Sequence, residues 1–338
     1  MTEVLQATGA IAPQPKRKTA HPIRSLLISR LATGVLSVIV ISIVVYAATL
    51  VLPGDAATAI LGQQATPERL AQLRSQLHLD QSPVSGYLSW AKAALHGDFG
   101  TSLTQGQRVW DLIAPRLANS AVLIVATAIV STILGVLLGM WAASRKDSWV
   151  DHSLSVTALV ASSLPEFVVA VFVVMIFAVT VFTWFPAVSI LPEGEHIWDE
   201  PNKLVLPVLA LVIVVTPYVF RMFRASLIEA LSSDYVEVAT LKGASTSRLL
   251  FGHALPNSLA ATIQVVGLNL LYLAGGIALV ETVFQYPGIG LALVASITDR
   301  DVPTIQFLVV LLAIAYVFLN IVTDVAVLLV TPRRRLPR

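Results

Sequence analysis

Apolar positions dominate six stretches of the chain, near residues 31–52, 118–142, 154–184, 204–223, 258–283 and 304–331. Each is long enough to cross a bilayer core as a helix, which takes roughly twenty apolar residues. Lipid offers no partner for free backbone N–H and C=O groups, so such runs are helical. The pattern predicts an all-α membrane protein of six transmembrane helices, and an even number of spans puts both termini on one side. A first span over 30–52 follows a polar tail, 1–29. That run exceeds the roughly 7–15 residues of a signal-peptide core and five more follow it, so it is read as a retained helix.

Two polar insertions interrupt the spans. The first, 53–117, is expected to form a small folded lobe. Within it Thr66 and Pro67 read as the N-cap and first position of a helix carrying Leu70, Leu73 and Leu77, since Pro suits the first helical position and Thr the cap. Gly97 to Leu103 form a turn-rich end to the lobe. The second insertion, 225–257, lies between spans four and five of a 118–331 five-helix core, and a basic end, 332–338, closes the chain.

Composition agrees with the pattern: 56% of residues are apolar and 12% charged, with a mean hydropathy of +0.79. The absence of cysteine excludes a disulfide framework and thiolate metal sites. Charge becomes informative once divided by loop. Lys16, Arg17, Lys18, Arg24 and Arg30 precede span one, and Arg145 and Lys146 follow span two. Arg221, Arg224, Lys242 and Arg248 flank the second insertion, and Arg333, Arg334, Arg335 and Arg338 end the chain. All fall on one side, whereas the 53–117 loop balances five Lys/Arg with five acids. The positive-inside rule then places both termini in the cytoplasm and the lobe outside.

The second insertion carries the most specific pattern. Val236 to Lys242 has no helix breaker, Gly243 suits the left-handed end of a helix, and Ser245 or Ser247 can cap the next one. Leu249, Leu250 and Phe251 then offer an apolar surface outside the membrane, which calls for a partner. Glu237, Ala239, Gly243, Leu255 and Pro256 fall at the spacing of the EAA motif, with Gly six residues after Glu and a Leu-Pro pair closing the pattern. In this the chain resembles the permeases of ABC importers, and the wording from Asp234 to Asn257 is similar to their dipeptide and oligopeptide branch. The resemblance extends through Leu52-Pro53-Gly54-Asp55, Ala65 to Glu68, Gly97 to Leu103, Val280 to Phe284, Tyr286 to Gly290 and Thr331-Pro332-Arg333. Val238 at the second position of the triplet and His253 two before the Leu-Pro pair depart from it.

The resemblance implies the type I permease fold and a bacterial cytoplasmic-membrane location. Its implied partners are a second homologous permease, two cytoplasmic ATPase subunits and an extracytoplasmic substrate-binding protein, besides membrane lipid; nucleic acid is not among them. Glu237, Ala239, Gly243, Leu249, Leu250, Phe251, Leu255 and Pro256 would couple to an ATPase. ATP and Mg would sit on those partners, with no cofactor on this chain. None of the 18 Gly is followed by Lys, so a phosphate-cradling P-loop is absent, as are His-Glu-x-x-His and Gly-x-Ser-x-Gly.

Polar residues within spans are candidates for a substrate path, because they are costly in lipid. These are Gln264, Asn269, Glu166 and Asn320, with Asp324 beside them. The 53–117 lobe and the Phe284 to Asp301 segment are candidate docking sites for the binding protein, and Tyr286 to Gly290 within the latter reads as a tight, stiff turn whose alternative role is a re-entrant plug of the bundle. Three other functions stay open: an ion-driven secondary transporter, a permease for a non-peptide solute such as a nickel chelate, and a non-transporting assembly subunit. Few acids in the spans argue against the first.

Overall fold

A computed structural model describes residues 22–51, 66–67, 82–192, 195–245 and 248–330. The elements among them are helical: α1 (Pro22–Val51), α2 (Pro83–Leu95), α3 (Val109–Ser144), α4 (Trp149–Ser163), α5 (Glu166–Val174), α6 (Asn202–Leu231), α7 (Asp234–Leu241), α8 (Leu255–Phe284), α9 (Ile289–Thr298) and α10 (Val302–Val330). Two π-turns, Met175–Thr180 and Leu249–Ala254, extend α5 and lead into α8. Five helices are long and apolar enough to span a membrane, and α4 with α5 form a sixth, broken span.

That break corrects one expectation. The apolar run 154–184 is two helices meeting at 102° rather than one straight span. Pro165 lies at the joint, where it removes a backbone donor and biases Leu164 away from the helical region; Leu164 has ψ 133°. The other spans lie where expected but run longer. α3 begins at Val109, not 118, and its 36 residues reach roughly 54 Å at 1.5 Å per residue, well beyond a hydrocarbon core of roughly 30 Å. α1 starts at Pro22, inside the expected tail, and α6 and α8 take both ends of the expected 225–257 loop. Hydropathy ends at the lipid boundary, whereas backbone hydrogen bonding continues past it. In the expected lobe Pro67 is helical, but residues 68–81 with Leu70, Leu73 and Leu77 lie outside the described residues.

The core forms around α6, whose inner face from Leu206 through Val215 packs with Leu123 of α3, Val169 and Val173 of α5, and Leu273, Ile277 and Val280 of α8. Thr127, Ser131, Gly135, Gly139 and Ala143, each one turn apart on α3, are all buried. A Cβ at Gly135 would lie 2.6 Å from Val219 Cβ, and one at Gly139 2.9 Å from Phe223 Cδ1. This small-residue ladder lets α3 and α6 approach at backbone distance, the packing that replaces hydrophobic driving force in lipid. On the opposite flank α1 leans on α10, tied by the Arg30–Asp324 ion pair at 2.6 Å.

Candidate functional site

The segment between α6 and α8 is built around Gly243. α7 ends in paired C-terminal hydrogen bonds, Ala244 N–H to Ala239 C=O at 3.1 Å and Gly243 N–H to Thr240 C=O at 2.9 Å, with Gly243 at φ +79°. This is a Schellman ending, which needs a left-handed residue where Gly carries no Cβ penalty. The chain reverses there and re-enters a helix that is continuous from Arg248 into α8. Leu249 N–H bonds to Ser245 C=O at 3.0 Å. Pro256, at the second position of α8, cannot donate and would crowd a regular preceding turn. The wider π-turn over Leu249–Ala254, closed by Leu255 N–H to Leu250 C=O, precedes it directly.

The expected coupling residues divide into two sets. Leu250 and Leu255 pack inward against Phe223, Leu227, Ala230 and Ala254, so of the Leu249, Leu250 and Phe251 surface expected to need a partner, Leu250 is satisfied within the chain. Ala239 and Leu249 are half-buried, while Glu237, Gly243 and Pro256 are exposed. Leu241 is 82% exposed, Phe251 56%, and Val238 and Tyr235 also face outward. Val236 anchors α7 by burial, and Asn257 Nδ2 donates to the Tyr235 hydroxyl at 3.0 Å. The loop is thus held on one side and presents a free apolar ridge on the other.

Beside it sits a pair that the sequence reading passed over. Arg224 of α6 grips Asp151 of α4 through both guanidinium arms, NH2 to Oδ2 at 2.6 Å, and Asp151 also accepts from the Asp147 backbone at 3.0 Å. Asp151 is buried. The pair fastens the start of the broken span to the helix that feeds the loop.

At the opposite face the Tyr286 to Gly290 turn is clasped rather than free. Glu281, fully buried, accepts from Ser120 Oγ at 2.6 Å and from the Gly290 and Leu291 backbone N–H groups at 2.7 and 3.0 Å. It thereby caps the N-terminus of α9, which would otherwise bury unpaired donors. Ile289 N–H donates to Ser120 Oγ at 2.9 Å, Tyr286 O–H to the Asn119 carbonyl at 2.7 Å, and Asn119 Nδ2 to the Pro287 carbonyl at 3.0 Å. A Cβ at Gly288 would collide with the Glu281 carboxylate. The segment beyond is helix α9, with Ile289, Gly290, Ala292 and Ser296 buried. Asp301 then accepts from Thr304 Oγ1 at 2.8 Å, from Ser102 Oγ and from Leu103 N–H at 3.1 Å, joining the 97–108 turn to α10.

The candidate path residues are scattered. Gln264 is exposed and Asn320 half-buried. Asn269 Nδ2 is buried with no hydrogen-bond partner among the described residues. Asp324 pairs with Arg30, as above, which gives it a structural role between α1 and α10. Glu166 accepts a hydrogen bond from Tyr272 O–H at 3.0 Å, and the Tyr272 ring stands 6.4 Å from that of Tyr218. The two tyrosines gave no signal in sequence, being ordinary span residues.

A bundle of membrane-spanning helices is also what the chain's relatives are named for. Residues 135–336 match a family described as the binding-protein-dependent transport system inner membrane component, and residues 23–124 match the N-terminal part described for such membrane components. A probable peptide ABC transporter permease protein of Sinorhizobium fredii is 34% identical over 91% of this chain and 98% of its own length. A dipeptide transport system permease protein of Alkalihalophilus pseudofirmus is 32% identical over 86% of this chain and 93% of its own. A glutathione transport system permease protein of Shigella flexneri is 31% identical over 91% and 98%. With both halves of the bundle matched and the likeness running nearly end to end, the chain belongs to the inner-membrane component family of binding-protein-dependent ABC importers.

Proposed function

We propose that this chain is a permease subunit of an ATP-driven importer of short peptides, working with a second homologous permease, two cytoplasmic ATPases and an external binding protein. The observation that carries the coupling is the exposed apolar ridge of Tyr235, Val238, Leu241 and Phe251 on a loop whose other side is locked into the bundle. Exposed apolar surface of this kind outside a membrane marks a docking site. ATP and its Mg would be held by the docked subunits, and the basic residues around the loop favour a cytoplasmic side for it. Closure of the ATPases would push the loop as a rigid lever, because α7 is fixed by Val236 and by the Gly243 turn, and the π-turn joins it directly to α8. The peptide class is supported by relatives named for peptide, dipeptide and glutathione transport; glutathione is itself a tripeptide.

The test is reconstitution of the co-purified complex in liposomes. ATP hydrolysis and uptake of a tripeptide are measured with and without the loaded binding protein. Hydrolysis and uptake that rise together support the reading, whereas uptake driven by a proton or sodium gradient without ATP would replace it with a secondary transporter.

A further inference from the structure

Near the middle of the bundle, α5, α6 and α8 leave an open face whose chemistry is unlike a lipid-facing surface. Glu166 opens α5 at the 102° break, and its hydrogen-bond partner among the described residues is the Tyr272 hydroxyl. The ion pairs among the described residues are Arg30–Asp324 and Arg224–Asp151, so Glu166 has no cation there. Tyr272 is 41% exposed. Beside it a Cβ on Gly275 would meet nothing within 4 Å, while one on Gly276 would lie 3.4 Å from Glu166 Oε1 and 3.9 Å from the Tyr272 ring. Across the gap stands the Tyr218 ring, with the Arg221 guanidinium 5.4 Å from its centroid; Arg221 is exposed and has no carboxylate among the described residues. An acid and a base, each without an opposite charge among the described residues, thus flank two phenol rings.

We propose that this face holds the transported peptide on its path, with Glu166 receiving its free α-ammonium group against the rings of Tyr272 and Tyr218, and Arg221, nearer the cytoplasmic end of α6, facing its carboxylate end. The inference rests on the peptide reading above. An unpaired carboxylate turned to lipid is costly, and such groups face a path or a partner. A helix that lacks opposite charges of its own, seated on the face, would bury Glu166 and Arg221 unpaired, which is strongly unfavourable. A peptide with free ends brings one group of each sign, and its ammonium group also suits the ring faces. Tyr272 O–H orients the carboxylate, and the open space at Gly275 leaves room for the peptide backbone.

The experiment uses the whole reconstituted complex and reads tripeptide moved per ATP hydrolysed. The Glu166→Gln and Tyr272→Phe variants are expected to retain the second permease on purification and to keep ATP hydrolysis stimulated by loaded binding protein. Their yield of peptide per ATP falls about tenfold for Glu166→Gln, the worth of one charge-assisted hydrogen bond, and severalfold for Tyr272→Phe. Glu166→Asp, which keeps the charge, stays within about threefold. A wild-type yield in Glu166→Gln overturns the proposal, and so does loss of the second permease from the Glu166→Gln complex, which would make the face a subunit contact. Wild-type complex that hydrolyses ATP with no response to binding protein and peptide would overturn instead the peptide reading on which the proposal stands.

Discussion

Gly243 shows how one residue decides a turn. Its φ of +79° is costly for a side chain, while a Cβ there would meet nothing within 4 Å. The penalty for substitution is therefore backbone strain alone, on the order of 1–3 kcal/mol for a β-branched residue. Gly243→Val is expected to insert normally and lose transport, whereas Gly243→Asn, which tolerates the left-handed region, keeps most of it; peptide uptake in liposomes decides between them, and equal loss in both would put the cause elsewhere. Glu281 is the opposite case, a residue whose role is all contact. Glu281→Ala leaves Ser120 and the Gly290 and Leu291 donors without their acceptor, each costing about 1–3 kcal/mol if unsatisfied. Thermal unfolding in detergent is expected to drop by several degrees, with Glu281→Gln in between. An unchanged midpoint would mean water replaces the carboxylate. Gly243 was legible in sequence because positive φ leaves a glycine signature at a helix end. Glu281 was visible only as a familiar word, since its partner Ser120 lies 161 positions away and nothing local marks it.

At the scale of elements, apolar windows located the spans but not their ends or the bend in the third. The signal for the bend was present in Leu164-Pro165-Glu166, inside a run longer than a bilayer needs. The α3–α6 contact was likewise readable in hindsight from small residues every fourth position, Thr127 through Ala143. Gly139→Leu is expected to force these helices apart where Phe223 now lies against the backbone, lowering the yield of folded protein; overpacking of such a contact costs typically 1–3 kcal/mol or more. A full yield of stable protein would show that the ladder is not close-packed. The Asp151–Arg224 pair offers a separate test through a double-mutant cycle. Asp151→Asn or Arg224→Met alone strands a partly buried charge and is expected to destabilise by about 3–5 kcal/mol, and the two together by less than their sum. Additive losses in chemical denaturation would show that the two residues act independently.

For the whole molecule, the bundle has a locked outer end and a loop end made for contact. The Glu281 and Asp301 clasps tie the 97–108 turn, α3, α9 and α10 together at one face. At the other, α7 stands out from the bundle on a single reversed turn. Motion transmitted from the loop would therefore reach α8 first and meet resistance at the clasp, an arrangement suited to rocking of one helix group against another. The sequence singled out that loop as the candidate contact region, because its helix breaker and apolar residues are contiguous. It could not show that Leu250 and Leu255 face inward and Leu241 and Phe251 outward, which depends on how α7 and the π-turn pack on α6.

Absence of cysteine makes the central claim open to one direct measurement. Leu241→Cys, at the 82% exposed tip of the ridge, and Leu95→Cys, at an 87% exposed position on the opposite face, are each labelled with a thiol-reactive benzophenone in the transporting complex and irradiated. The account predicts a covalent adduct with an ATPase subunit from Leu241→Cys and none from Leu95→Cys. An ATPase adduct from Leu95→Cys, or none from Leu241→Cys in a complex that still hydrolyses ATP, would contradict it.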